Sequence, residues 1–173
     1  MKIKDEEIVY KKCDEKSIDE ICHIQDVAFE HLEDKSLLRR NSKEILLSCL
    51  REPHYTLGAY YKEKLIAFAV LFDAGETQEN IGLDLEMTKE ELNESINMKL
   101  IIVLPEYRGN GLQRKLMSAL EKEAIKKGKK FICATVSPDN KYSSNNFIKS
   151  GYEFKLTKIK YGGLKRNIYC KNL

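Results

Sequence analysis

The sequence predicts a mixed α/β fold, with a β-sheet covered by helices on both faces. Short apolar runs rich in β-branched and aromatic residues are interspersed with longer segments whose apolar residues recur at helical spacing. Of the 173 residues, 42% are hydrophobic and 33% are charged, which is typical of a globular protein large enough to bury a core. We therefore expect a single domain over residues 1–173.

The first part of the chain is predicted to form a strand and two helices. Residues 3–12 are expected to form the first strand, with charge on its outer positions. Residues 17–20 have the spacing of a capping box, which predicts the start of the first helix. Residues 32–40 lose the helical signal and are expected to form a loop. A second capping box at residues 41–44 begins the second helix, which Pro53 ends.

A hairpin and an acidic connection are predicted next. Residues 55–61 and 65–72 are rich in aliphatic and aromatic residues, and the polar residues 62–64 between them indicate a hairpin turn. Residues 73–97 are polar and acidic. A third capping box at residues 88–91 predicts a short helix within this segment.

The last part of the chain is predicted to alternate strands and helices. Residues 98–104 form an apolar strand, and a helix of amphipathic spacing follows over residues 111–127. The apolar run at residues 131–136 is typical of a buried central strand. A short helix comes next, and residues 153–160 and 167–170 are expected to pair as a final hairpin around a Gly-Gly turn.

The most informative stretch lies where the fourth predicted strand meets the long helix. The strand stops at Pro105, and Gly109 and Gly111 lie in the turn before the helix. Backbone N–H groups and the helix dipole make such a turn an anion site, which indicates a phosphate-bearing ligand. The stretch lacks the P-loop pattern, and Arg114 stands where the dinucleotide fingerprint needs its third glycine.

This stretch resembles the signature of the GNAT superfamily, the acyl-CoA-dependent N-acyltransferases. Its order is Val-x-Pro-x-x-Arg-Gly-x-Gly-Leu, and in that family the motif Arg/Gln-x-x-Gly-x-Gly/Ala wraps the pyrophosphate of coenzyme A. Arg108 and Gly111 match the motif in identity and spacing. Gln113 departs from it, because the family prefers a small residue at that position.

A second segment resembles the other cofactor motif of the same family. That motif is Asn-x-x-Ser/Ala, an aromatic residue four positions on, and then Gly-Phe/Tyr. The matching residues are Asn140, Ser143, Phe147, Gly151 and Tyr152. The alternative is that the glycines only form turns and the Asn and Ser only cap a helix. Two motifs in the family's order, separated by one helix and one strand, favour the cofactor site.

The resemblance implies a mixed, mostly antiparallel sheet that splays apart, with the pantetheine arm of acetyl-CoA in the gap. It implies that backbone N–H groups near the thioester stabilise the oxyanion of the reaction. The implied cofactor-binding residues are Ile101, Ile102, Val103, Arg108, Gly109, Asn110, Gly111, Leu112, Gln113, Asn140, Ser143 and Phe147.

The resemblance leaves the proton transfers open. Many relatives carry a Tyr as general acid at the position of Phe147, which has no proton to give. Tyr142 and Tyr152 lie nearby in the sequence, but we expect both to be packing residues. Asp84 and Glu86 are weak candidates for the base, on what is expected to be a strand edge, so the catalytic residues are unknown.

The implied activity is acetyl transfer from acetyl-CoA to an amine in a ternary complex. The excess of carboxylates in residues 73–97 suggests an acidic groove and a cationic acceptor such as a polyamine, an aminoglycoside or a lysine side chain. A non-catalytic acyl-CoA-binding sensor is the alternative that Phe147 keeps open. Relatives occur as monomers and homodimers, and both states remain open here.

Composition argues against several other classes of protein. The net charge is only +3, and basic and acidic residues are interleaved, so a nucleic-acid partner is not expected. The five cysteines are scattered without a Cys-x-x-Cys pair, so we expect no disulfide framework and no metal site. The chain shows no apolar signal region and no run of membrane-spanning length. We therefore expect a cytoplasmic protein without a membrane partner.

Overall fold

The structure, a computed structural model, describes residues 1–4 and 7–173. Within them, seven strands form one sheet: β1 (Ile8–Lys12), β2 (Tyr55–Tyr61), β3 (Lys64–Phe72), β4 (Ser95–Val103), β5 (Phe131–Val136), β6 (Glu153–Lys160) and β7 (Leu164–Asn172). The spatial order is β1-β2-β3-β4-β5-β7-β6. Only the β4–β5 pair is parallel among these neighbours, so the expectation of a mixed, mostly antiparallel sheet is confirmed.

Helices cover both faces of this sheet. Those in the described residues are α1 (Ile18–Glu30), α2 (Lys43–Ser48), α3 (Lys89–Asn93), α4 (Leu112–Lys126) and α5 (Lys141–Lys149). Both α1 and α4 pack against β3 and β4. Every side chain from Leu65 to Leu71 is buried, and a strand buried on both faces needs cover on both. The main hydrophobic core therefore extends through the sheet from one helix layer to the other.

The sheet splays between its two parallel strands. Pairing joins Ser95, Ile96 and Asn97 of β4 to the first residues of β5 and goes no further. β4 then continues to Val103 and β5 to Val136, so the two strands separate toward their carboxyl ends. The splayed sheet implied by the family resemblance is confirmed, and it leaves a gap in the middle of the molecule.

The first strand is shorter than the prediction for residues 3–12. Part of that prediction falls on residues 5 and 6, which lie outside the described residues. β1 begins only at Ile8. Ile3 instead donates its amide to the side chain of Asn110 (3.2 Å), because the start of the chain packs on the turn before α4.

Two of the three predicted capping boxes were wrong. Ser17 makes no side-chain cap, because a 3-10 turn capped by Asp14 precedes α1. The second box would place the cap at Asn41, but Ser42 caps α2 by accepting from the amide of Ile45 (3.3 Å). The third box is confirmed, with Thr88 capping α3 and bonded reciprocally to the residue three positions on. The pattern placed the start of each helix to within one residue, but it did not predict the capping hydrogen bonds of α1 and α2.

Candidate active site

A cleft opens where β4 and β5 separate. It contains a larger cavity of about 430 Å³ toward the start of α4 and a smaller one of about 120 Å³ toward β7. The loop between α1 and α2 covers both cavities. The lining residues that the cavities share are Leu37, Leu38, Ile101, Asn140 and Ser143. Both predicted motifs therefore face one continuous cleft.

The glycine turn has the backbone shape that an anion site needs. Gly109 and Gly111 have φ values of +80° and +72°, in the left-handed region that favours glycine. Gly111 is the N-cap of the 15-residue helix α4 and supplies no side-chain cap to it. The first N–H groups of α4 and the positive end of its dipole are thus left for a ligand in the larger cavity, which Gly111 and Leu112 line.

Arg108 and Asn110 differ in their relation to the cleft. Arg108 lines the larger cavity, and partial burial lowers the pKa of its guanidinium. The side chain of Asn110 instead holds the turn to the start of the chain. Its amide group donates to the carbonyl oxygens of Tyr107 and Met1, at 2.8 Å each. Of the predicted site residues in this turn, Asn110 is the one whose side chain serves the scaffold.

Gln113 joins the two predicted motifs to each other. Its side-chain N–H donates to the hydroxyl of Ser143 (3.0 Å), and its carbonyl oxygen accepts from the amide of Asn146 (2.9 Å). Both partners belong to α5, so one side chain fixes α5 against the first turn of α4. The departure from the family pattern at Gln113 therefore has a structural role that spacing alone did not reveal.

The second motif closes the opposite side of the cleft. Asn140 caps α5 by accepting from the amide of Ser143 (3.0 Å). Phe147 is buried and lines the smaller cavity, where its ring meets Tyr152 edge-on and stacks on Tyr169. Tyr152 is a packing residue, as expected, and burial strongly raises the pKa of its hydroxyl. The same expectation for Tyr142 was wrong, because its side chain is exposed and lines the larger cavity.

β4 pairs with β3 along one edge, but beyond Asn97 its other edge, which faces the cleft, pairs with no strand in the described residues. Leu104, directly after β4, donates its amide to the carbonyl oxygen of Ile66 (3.0 Å), so the amide of Ile102 also faces β3. The amides of Ile101 and Val103 alternate with these and point toward the gap left by β5. Ile101, Ile102 and Val103 all line the larger cavity.

The weak candidates for the base are outside the cleft. Asp84 lies in a 3-10 turn rather than on a strand edge, so that expectation was wrong. Its carboxylate contacts the ammonium groups of Lys158 (2.7 Å) and Lys160. Burial would raise the pKa of Asp84, but the two lysines outweigh it and lower the pKa. Glu86 is exposed at the end of the same turn, and neither residue lines either cavity.

The cleft also lacks the acidic lining that the sequence suggested. Carboxylates of the 73–97 segment pair with lysines, as in Glu79–Lys99 (3.3 Å) and Glu94–Lys130 (2.5 Å). Within the described residues, no carboxylate lines either cavity, whereas the smaller one is lined by Arg39, Lys99 and Arg166. The charged side chains that line the cleft are therefore positive. The carboxylates expected there, such as Glu79 and Glu94, form ion pairs with lysines instead.

Sequence reasoning missed all three of these cations. Arg39 falls in the segment predicted only as a loop. Arg166 lies on β7 two positions from the buried Ile168, so both project from the same face of that strand. An arginine at a position on the apolar face of a strand could have been noticed in the sequence, because arginine is rarely buried without a partner.

Membrane-spanning helices and metal-binding clusters are absent from the described residues. No described helix is both long and apolar enough to cross a membrane. No group of three or more His, Cys, Asp or Glu side chains in residues 1–4 and 7–173 is arranged to hold a metal ion.

The arrangement defines a class: an α/β protein with a splayed sheet and an anion-binding turn at the mouth of the gap. The chain belongs to the acetyltransferase (GNAT) family, whose sequence model matches residues 18–152. The predicted family and the assignment as an acetyltransferase are thus confirmed. No curated protein sequence matches the chain.

Solved structures share the fold at low sequence identity. The protein yncA of Salmonella typhimurium, with its cofactor acetyl-CoA, has a TM-score of 0.72 at 18% identity over 95% of this chain and 93% of that one. The PaiA N-acetyltransferase of Thermoplasma acidophilum, in complex with coenzyme A, scores 0.69 at 18% identity over 96% and 99%. The ribosomal-protein-S18-alanine N-acetyltransferase of Escherichia coli scores 0.71 at 17% identity over 95% and 93%.

Proposed function

We propose that this protein transfers an acetyl group from acetyl-CoA to a primary amine of a small molecule or protein, by direct attack in a ternary complex. The observation that carries the proposal is the gap between β4 and β5, which leads from the start of α4 to a second, polar cavity. Structures of the same fold with acetyl-CoA or coenzyme A support this choice of co-substrate.

The larger cavity would hold the cofactor. The backbone N–H groups of residues 108–113 would bind the pyrophosphate, since the two glycines and the helix start present donors there. Arg108 would add a positive charge beside it. Asn140, Ser143 and Leu112 would contact the pantetheine arm, because they line the same cavity.

The free edge of β4 would hold the reacting group. The amides of Ile101 and Val103 point into the gap, so one of them can donate to the thioester oxygen as negative charge develops on it. A preorganised donor of this kind is worth about 3–4 kcal/mol of barrier in other acyl transfers. The amine nitrogen forms a bond to the acetyl carbon, the C–S bond breaks, and coenzyme A leaves as its thiolate.

The proton released by the amine would pass to water. Among the described lining residues there is no carboxylate and no histidine to accept it. Phe147 cannot protonate the thiolate, but a thiolate of ordinary pKa is already a fair leaving group near neutral pH. In this proposal the protein acts mainly by holding the two substrates and stabilising the oxyanion.

The alternative function, a non-catalytic acyl-CoA sensor, is favoured by Phe147 at the usual acid position. The two functions are separated by following release of the coenzyme A thiol from acetyl-CoA with and without added amines. The proposed enzyme gives amine-dependent thiol release, an acetylated product by mass spectrometry and intersecting initial-velocity patterns. Binding of acetyl-CoA without amine-dependent release across a broad panel of amines would contradict the proposal and support the sensor.

A further inference from the structure

The smaller cavity contains a buried charge that has no counter-ion among the described residues. Arg166 is only 3% exposed, yet it lines this cavity. Its guanidinium donates to the carbonyl oxygens of Lys165 (2.9 Å) and Ser36 (2.8 Å). Within the described part of the chain, no carboxylate forms an ion pair with it. A buried cation of this kind is costly unless an anion compensates it.

The nearest acidic residue does not fill that role. Asp34 acts on Arg166 electrostatically, but it is exposed and its carboxylate accepts from the amide of Ser36 (2.9 Å). The other basic groups nearby are already paired: Lys99 with Glu79 (3.3 Å), and Lys160 with Asp84. The positive charge that remains available in the cavity is therefore that of the arginines.

A second arginine lies beside the first. The guanidinium of Arg39 is 4.0 Å from the ring centroid of Tyr161, and the Tyr161 hydroxyl is hydrogen-bonded to the hydroxyl of Thr135 (3.1 Å). All three residues line the cavity with Arg166. Burial lowers the pKa of Arg166, Tyr161 opposes this, and the like charge of Arg39 adds to the lowering. Contact with the face of the Tyr161 ring helps to hold the planar guanidinium of Arg39, and with it the N–H donors of that group, in place.

We infer that Arg39 and Arg166 form a subsite for a carboxylate of the acceptor, so that the preferred acceptor is a small amine carrying a carboxylate, such as an amino acid. The inference rests on the proposed function. An arginine fork matches a carboxylate through paired N–H donors. The same cavity of about 120 Å³ reaches from Ile101, beside the proposed thioester position, to Arg166. Amine and carboxylate must therefore lie only a few bonds apart.

Matched acceptors test this subsite. Thiol release from acetyl-CoA is measured with each standard amino acid beside its carboxamide, and with O-phosphoethanolamine beside ethanolamine. We expect the best amino acid to exceed its carboxamide in kcat/KM by about tenfold or more, because the carboxamide lacks the negative charge that would pair with the arginines. In Arg39→Gln this ratio should fall toward one, mainly through KM.

Control variants separate recognition from folding. Arg40→Gln removes the neighbouring exposed arginine, which pairs with Asp26 (2.6 Å) outside the cleft, and should leave the ratio unchanged. Arg166→Lys keeps the buried charge but loses the fork, so it should lower the ratio while retaining acetyl-CoA binding. Thermal unfolding of each variant shows whether it is folded.

Four results would overturn the inference. One is a carboxamide used as well as its amino acid by the wild type, and another is an unchanged ratio in Arg39→Gln. The third is preference for O-phosphoethanolamine alone, which would assign the subsite to phosphate. Failure to acetylate any carboxylate-bearing amine, by a protein that acetylates other amines, would also overturn it while leaving the proposed function intact. Failure to bind acetyl-CoA would instead remove the proposed function itself.

Discussion

Gln113 is the residue whose importance is clearest from structure and least visible in sequence. The family pattern prefers a small residue there, yet the side chain makes two hydrogen bonds to α5. Gln113→Ala should lower the free energy of unfolding by about 1–2 kcal/mol. It should also weaken acetyl-CoA binding several-fold, because the two walls of the cleft lose their link. Denaturant unfolding and calorimetric titration measure the two effects.

The exposed Gln78 provides a matched control for that substitution. Gln78→Ala should resemble the wild type in both measurements. Equal cofactor affinity in wild type and Gln113→Ala would show that the two motifs hold their positions independently.

Asp84 illustrates how structure reassigns a candidate catalytic residue. Asp84→Asn should cost about 1–3 kcal/mol of stability, because Lys158 and Lys160 lose their partner. Its kcat/KM should change less than threefold, because Asp84 does not line the cleft. Thermal unfolding and thiol-release kinetics test these outcomes, with the exposed Glu86→Gln as the control for both. A large loss of activity in folded Asp84→Asn would restore Asp84 as a catalytic group.

The pH dependence of that stability difference has a definite sign. The lysines hold the pKa of Asp84 below its usual value in the folded protein. The stabilisation is therefore fully present above a pH of about 4, the ordinary pKa of an aspartate, and is lost as the pH falls through the folded-state value. Wild type and Asp84→Asn should converge in stability at strongly acidic pH. A gap that widens on acidification would contradict the ion-pair explanation.

At the scale of elements, β4 and the residue that follows it should show two kinds of amide. Those of Ile102 and Leu104 face β3 and should exchange with solvent deuterium slowly. Those of Ile101 and Val103 face the gap and should exchange faster in the free protein. Saturating acetyl-CoA should slow the exchange of the second pair much more than that of the first. Site-resolved hydrogen exchange by NMR measures this, and uniform protection along β4 without ligand would refute the open edge.

The sequence predicted these elements because their signals are local. Apolar runs marked β3 and β5, and helical spacing ended by Gly128 marked α4. The N-cap of α1 was predicted at the right residue, Ser17, but its side chain makes no capping hydrogen bond, because a 3-10 turn that a four-residue pattern does not reveal precedes the helix. Residues 3–12 were predicted to form one strand, but contacts with a turn about a hundred residues away determine where the chain start lies.

At the scale of the whole molecule, the proposed cofactor half of the cleft was more predictable than the proposed acceptor half. The proposed cofactor half is formed by two contiguous motifs whose spacing is visible in the sequence. The proposed acceptor half is assembled from Arg39, Thr135, Tyr161 and Arg166, which come from separate loops and strands. The excess of local carboxylates misled the charge prediction, because it could not show which of them would pair with distant lysines.

The central claim is that acetyl-CoA binds at the turn before α4, in the gap between β4 and β5. Calorimetric titration of acetyl-CoA into wild type, Gly111→Trp and Gly128→Trp tests it most directly. The two glycines begin and end the region of α4 with nearly equal φ values of +72° and +74°, so both substitutions carry the same backbone strain. Of these two glycines, Gly111 lines the larger cavity and Gly128 does not.

We expect micromolar binding in wild type and Gly128→Trp, and loss of binding in a folded Gly111→Trp. Equal binding by all three proteins would contradict the placement of the cofactor. Absence of binding by the wild type would contradict the proposed function as a whole.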